Sequence, residues 1–179
     1  MKRILLFLWF FSFQDLSCTT LRYLSFSELV EKSDLIIRAS VQDSQPILRK
    51  SHIWTQYRLR VLEAIKGPER QQIFILQPGG VSGRYQTTVA GSVKLSMNNE
   101  ICLFLWEGKG GIYQILGLEQ GHFQLIPVGQ NIFVSMTPQQ LSGLSSTSSK
   151  SIQAVNQYTN FTQSPTWSKF REIIEFHDR

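Results

Sequence analysis

The side chains of this chain best suited to hold a ligand fall on one alternating run. Trp54, Arg58 and Arg60 share a parity within the stretch from Ile53 to Leu76, and Arg38 has the same parity in the run before it. Residues two apart lie on one face of a strand. The four would therefore form a cationic stripe with an aromatic end, a surface that suits an oligonucleotide or an anionic polymer. The plainer reading is a solvent face with alternating arginines, because the net charge over 179 residues is only +5, and a charge that small serves solubility equally well. A second candidate is the excursion from Gly79 to Asn98, rich in Gly, Ser and Thr, with Arg84, Tyr85 and Lys94 as its polar contacts. Long loops on a rigid scaffold are common seats of binding, although such a loop can also stand without a partner.

Catalytic signatures are missing. The chain has no HExxH, no P-loop and no G-x-S-x-G in a strand-turn-helix setting; Gly79-Gly80-Val81-Ser82-Gly83 matches the last only in part. His52, His122 and His177 are the available bases, and none sits in a recognisable motif. Cys102 lies among Ile101, Leu103, Phe104 and Leu105, with no cation beside it, whereas a reactive thiol wants an electropositive, partly open setting. With two cysteines and no CxxC or Cys/His cluster, neither a disulfide scaffold nor a structural zinc site is expected. No catalytic residue, metal or cofactor is assigned.

The N-terminus carries the marks of export. Lys2 and Arg3 precede an apolar run from Ile4 to Phe13 that only Ser12 interrupts; a span needs ~20 apolar residues, so this is a signal-peptide core. Residues 1–19 are expected to be removed, with Ser17-Cys18-Thr19 supplying small residues at the cleavage site. The alternative is a lipoprotein anchored through Cys18, against which Asp15 stands where an aliphatic residue is usual. Export without a further span predicts a periplasmic or extracellular protein and argues against intracellular nucleic acid.

The elements that must position these residues are mostly strands. Ser25 and Glu28 have capping-box spacing ahead of Phe26, Leu29 and Val30, which predicts a short helix to Lys32. Leu35 to Gln42 alternates as a strand, and Asp43-Ser44-Gln45-Pro46 reads as a turn. Ile53, Tyr57, Leu59, Val61 and Ile65 recur at even spacing, and after Lys66-Gly67-Pro68-Glu69 comes the apolar run Ile73 to Leu76: a long hairpin. Arg84 to Val89 is a short candidate strand. Ile101 to Trp106 is apolar on both faces and predicts a covered central strand. Glu107 to Gly111 turns the chain back into Ile112 to Leu118, and Gly121 to Ile126 and Ile132 to Ser135 follow. The core domain thus covers 20–136. Residues 137–163, dominated by Ser, Thr and Gln, read as a linker or loosely ordered arm. Residues 164–179 form a closing helix with Ser164 as N-cap, Pro165 at the first position, and Trp167, Phe170, Ile173 and Ile174 on one face.

Laid out this way, the chain resembles a group of uncharacterised exported bacterial proteins. The residues that carry the likeness are Ser27 to Val30, Ser33 to Ile36, Tyr57 to Val61, Ala64 to Pro68, Gln77 to Gly80, Glu100 to Leu105 and Gly117 to Phe123. The order of parts from Phe26 to Leu125 is also similar to the netrin-like domain of tissue inhibitors of metalloproteinases. The resemblance implies a mainly β fold, an OB-like (TIMP/netrin-like) small β-barrel with a short N-terminal helix and a C-terminal amphipathic helix. Inhibitors of that family chelate the protease zinc through a cysteine-tied N-terminus. Cys18-Thr19-Thr20 echoes such a start and leaves open a Cys18–Cys102 bridge, but the inhibitory residues are not carried over.

These readings converge on an exported, non-catalytic binding protein whose partner is a protein or polymer outside the cytoplasm. Trp54, Arg58, Arg60, Arg84 and Tyr85 are its candidate contacts. A protease inhibitor and a hydrolase with an unrecognised site are the alternatives.

Overall fold

A computed structural model describes residues 22–138, 140 and 164–179. The expected leader at 1–19, the alternative at Cys18 and most of the 137–163 arm lie outside the described residues. The chain opens with α1 (Phe26–Lys32), whose capping box forms as the spacing requires. Ser25 Oγ accepts from the Glu28 N–H at 3.3 Å, and Glu28 Oε2 accepts from the Ser25 N–H at 3.0 Å. That backbone donor, followed by Lys32, holds the Glu28 carboxyl down at about 2.

The strands are β1 (Leu35–Arg49), β2 (His52–Lys66), β3 (Gln72–Pro78), β4 (Gly80–Ser82), β5 (Tyr85–Thr87), β6 (Glu100–Gly108), β7 (Ile112–Ile115), β8 (His122–Val128) and β9 (Asn131–Ser135). A 3₁₀ turn (Leu118–Gly121) precedes β8, and α2 (Trp167–His177) closes the chain. The fold is mainly β. Seven strands form one sheet in the order β1-β2-β3-β7-β6-β8-β9, with β4 and β5 as a separate hairpin. β1 pairs antiparallel with β2 along its whole length and also with β6 from Leu35 to Ser40. β3 meets β7 in parallel at Ile75 and Tyr113.

The central strand β6 divides two cores. Its Ile101, Leu103 and Leu105 join Leu35, Ile37, Ala39, Tyr57, Leu59 and Ile75 in an aliphatic core between the strands. Its Cys102 and Phe104 face the other way, into a core that α1 and α2 cover with Phe26, Trp167, Phe170 and Ile174. Phe26, Phe104, Phe123 and Phe170 meet there at centroid distances of 5.0–6.5 Å in edge-on and tilted pairs. Both apolar faces of Ile101 to Trp106 are accounted for this way, and so is the apolar face of α2.

Several expectations are corrected. Asp43 to Pro46 is strand, not turn; β1 runs on to Arg49, and the chain reverses at Lys50 and Ser51, both at positive φ, as a tight two-residue hairpin loop requires. Pro46 is tolerated because β6 has already left β1 at Ser40, so this half of β1 is an edge. Ile65 does not share the inner face of Val61: the register skips Leu62 and then Ile65 on β2, and these bulges send Ile65 to the helix-covered core while Ala64 faces the strands. The return strand after Gly111 stops at Ile115, and a turn at Leu116 and Gly117 leads into the 3₁₀ segment. The N-cap of α2 is Thr166 rather than Ser164. The Pro165 carbonyl instead accepts from the Val134 N–H at 2.8 Å, and Thr166 bridges Phe133, so these residues extend the edge of β9 before the helix begins. The 137–163 segment starts anchored: Gln140 Nε2 donates to the carbonyls of Glu119, Gln120 and His122.

Candidate functional site

Beyond Ser40 the first three strands continue without β6 beneath them. Their inner face there carries Ser44 opposite Tyr57 and Pro46 opposite Thr55, with Gln77 opposite Thr55 on the far side. The segment from Gly79 to Leu95 folds back over this face as a roof. It is fastened at its edges by Ser92 Oγ donating to the Pro78 carbonyl at 2.6 Å and by the Leu95 N–H donating to Tyr57 Oη at 3.3 Å. The Glu119 N–H donates to the Gly91 carbonyl at 2.9 Å. Thr55 Oγ1 donates to the Gly79 carbonyl at 2.8 Å. Gly79 and Gly80 are both at positive φ, and a Cβ on Gly80 would collide with the Thr55 hydroxyl; these glycines let the roof start flush against β2.

Between roof and strands lies a cavity of about 390 Å³, within the range that holds small ligands. Its lining is chemically uniform: hydroxyls and amides among prolines and valines, with Lys94 as its one charged side chain. Gln77 is 2 % exposed, and neither its Nε2 nor its Oε1 has a hydrogen-bond partner. An unsatisfied buried amide costs ~1–3 kcal/mol per group, so this residue is an expense the fold carries at that point. Burial pushes the Tyr57 phenol up, partly offset by the Leu95 N–H.

The residues singled out from the sequence are not brought together. Trp54, Arg58 and Arg60 do share the outer face of β2, opposite the cavity. Arg58 and Arg60 are exposed and Trp54 is half-buried. Arg58 pairs loosely with Asp43 at 3.7 Å and stands opposite the half-exposed Phe74. Arg38 is taken out of the stripe: two of its nitrogens donate to Glu100 Oε2 at 2.9 and 2.6 Å, and its guanidinium lies 5.8 Å from the Trp167 ring. Arg84 and Tyr85 sit at the exposed β4–β5 tip, with the guanidinium over the phenol ring at 5.2 Å, and take no part in lining the cavity. Of the excursion's three polar contacts only Lys94 lines it.

The titratable candidates are scattered over separate elements. His52 is at the exposed end of the β1–β2 hairpin, its Nδ1 2.8 Å from the Lys50 carbonyl. His122 opens β8, and burial pulls its imidazole down to about 4. His177 ends α2, its Nδ1 2.8 Å from the Ile173 carbonyl and its ring edge-on to Phe26. Cys102 is fully buried in the helix-covered core, where desolvation raises the thiol far above its ordinary range; it is a packing residue there. Among the described residues no cluster of three or more His, Cys, Asp or Glu side chains could hold a metal, and no helix is long and apolar enough to cross a membrane.

Gln77, Thr55 and Ser92 were missed by sequence reasoning. A signal for two of them was present: Gln77 continues the inward parity of Ile73 and Ile75, and Thr55 that of Tyr57 and Leu59. A polar residue at an inward position marks where a dry core ends. Comparison with protein-family models and with curated proteins finds no match for the chain.

Proposed function

We propose that this protein is an exported, non-catalytic binding protein whose ligand sits in the roofed cavity at one end of an OB-like barrel. The barrel reading, in the arrangement of the netrin-like inhibitor domain, is supported by the pairings β1–β2, β2–β3, β3–β7, β7–β6 and β6–β1, which return to their starting strand with one parallel contact. Export is supported by the basic N-terminus and the apolar run from Ile4 to Phe13. The observation that carries the binding reading is the cavity itself, with a buried, unpartnered amide in its wall. Its lining holds no histidine, cysteine or carboxylate, and its hydroxyls and amides are a donor and acceptor set suited to hydrogen-bonding a ligand.

Native mass spectrometry tests this reading. Protein equilibrated with a small-molecule extract of the medium around its source cells should retain an added mass. Ser92→Phe, which fills the cavity from the roof, should lose it. Identical spectra for the two proteins would defeat the reading.

A further inference from the structure

We infer that the ligand of this cavity is a neutral, hydroxyl-rich small molecule, a mono- or disaccharide, held by Gln77. The inference rests on the binding reading above and adds the ligand's chemical class. Charge comes first. A buried ion needs a compensating charge, yet the lining offers only Lys94, which is exposed, and no carboxylate. An anion would be poorly matched and a cation not at all. A flat heteroaromatic ligand needs a stacking platform. The single aromatic in the lining is Tyr57, which is 3 % exposed and already accepts from Leu95, so no ring face is open for stacking.

What the cavity does offer is paired donors and acceptors. Gln77 has two N–H donors and a carbonyl with two lone pairs, all unspent. A sugar hydroxyl donates and accepts at once, so two neighbouring hydroxyls can take one hydrogen bond from Nε2 and give one to Oε1. Both amide atoms lie beneath the cavity surface. Presenting the amide to a ligand therefore requires the Gln77 side chain to turn about its torsions, of which the terminal one is soft. Thr55 and Ser92 spend their protons on the Gly79 and Pro78 carbonyls, which leaves their oxygens as acceptors for further hydroxyls. Pro46, Pro78, Val81 and Val93 supply apolar walls for the C–H faces of a pyranose ring.

Titration of the ¹⁵N-labelled protein, followed by NMR, is the test. The probes are glucose, galactose, mannose, N-acetylglucosamine, maltose and cellobiose, with uridine, acetate and choline as the aromatic, anionic and cationic comparisons. At least one sugar should shift the Gln77 side-chain NH₂ pair and the Ser92 and Leu95 amides saturably. Gln77→Met should weaken that binding by roughly tenfold or more. Thr55→Val gives a second, independent loss should the Gln77 variant fold poorly. Saturation by uridine, acetate or choline in place of the sugars would overturn the sugar assignment and leave the binding site standing. No saturable shift from any of the nine would overturn both.

Discussion

The two halves of the β1–β2–β3 hairpin system end in opposite chemistry, and β1 changes its inward parity between them at the skipped Gln42. From Leu35 to Ser40 the strands run above β6, and the inner face is dry: Ile37, Ala39 and Leu59 meet Ile101, Leu103 and Leu105. From Asp43 to Pro46 the same strands continue with a loop beneath them, and the inner face turns to Ser44, Thr55 and Gln77, with Ser92 facing them from the roof around a cavity. A strand meets another sheet surface with alternating side chains that can interdigitate. The roof sends Leu95 and Val93 into the core at one end and leaves the space beside them open. The polar residues lie where the partner changes from strand to loop, and there too the fold tolerates an unpartnered amide.

The dry half should respond most strongly to truncation. Leu59→Ala removes a fully buried side chain from the strand-enclosed core, and the expected loss is ~2–5 kcal/mol, read as a fall in the urea midpoint at unchanged slope. A loss under ~1 kcal/mol would mean that this half is as loosely filled as the other.

The second effect comes from pH. The His122 imidazole is held near 4 in the folded protein against an ordinary value of 6.5, because burial disfavours its charged form. The unfolded chain therefore takes up the proton first as pH falls. His122 leaves stability untouched above about 6.5 and erodes it between there and about 4, by roughly 3 kcal/mol in total. Denaturation midpoints of wild type and His122→Gln should diverge across that window and run parallel above it. A wild-type curve as flat as the variant's would place the ring in water.

Much of this was legible in the sequence because it depends on local pattern. The capping box at Ser25 and Glu28, the covered strand from Ile101 to Leu105 and the apolar face of α2 each follow from the spacing of a few residues. The extension of β1 through Asp43 to Arg49 was not legible. Asp, Ser and Pro in succession favour a turn, and only the departure of β6 at Ser40, a long-range fact, makes that stretch an edge that admits Pro46. The cavity was hidden for a related reason. Its wall comes from residues as far apart as Ser44, Thr55, Gln77 and Ser92, each unremarkable alone. The arginine stripe was legible as a face. Its loss of Arg38 to Glu100 and Trp167 depends on α2 docking from the far end of the chain.

The cavity half should answer in the opposite direction from the dry half. Gln77→Met keeps the side-chain length and removes two buried polar atoms that have no partner. The expected result is a gain of ~1–2 kcal/mol in the ligand-free protein, where Leu59→Ala loses stability. A sugar that binds in the cavity should then narrow the gap, because the wild type, binding more tightly, gains more from it. A destabilised Gln77→Met protein would show that the amide is satisfied by water in solution, and that the contrast between the halves is one of hydration alone.

The smallest effect belongs to the outer face, which both halves share. Arg58 and Asp43 are about half exposed and 3.7 Å apart, a pair worth at most ~0.5 kcal/mol. Arg58→Ala should leave the urea midpoint nearly unmoved and leave any cavity ligand bound as before. The double variant Arg58→Glu with Arg60→Glu keeps the strand and reverses the charge of the face. If that face has a role of its own, the double variant should lose retention on a heparin column while binding in the cavity is unchanged. Beside this pair β1 slips by one position against β2, skipping Gln42 between Val41 and Asp43. A loss of cavity binding in Arg58→Ala would mean that the Asp43 contact holds this bulge, and through it the positions of Ser44 and Pro46 in the cavity wall.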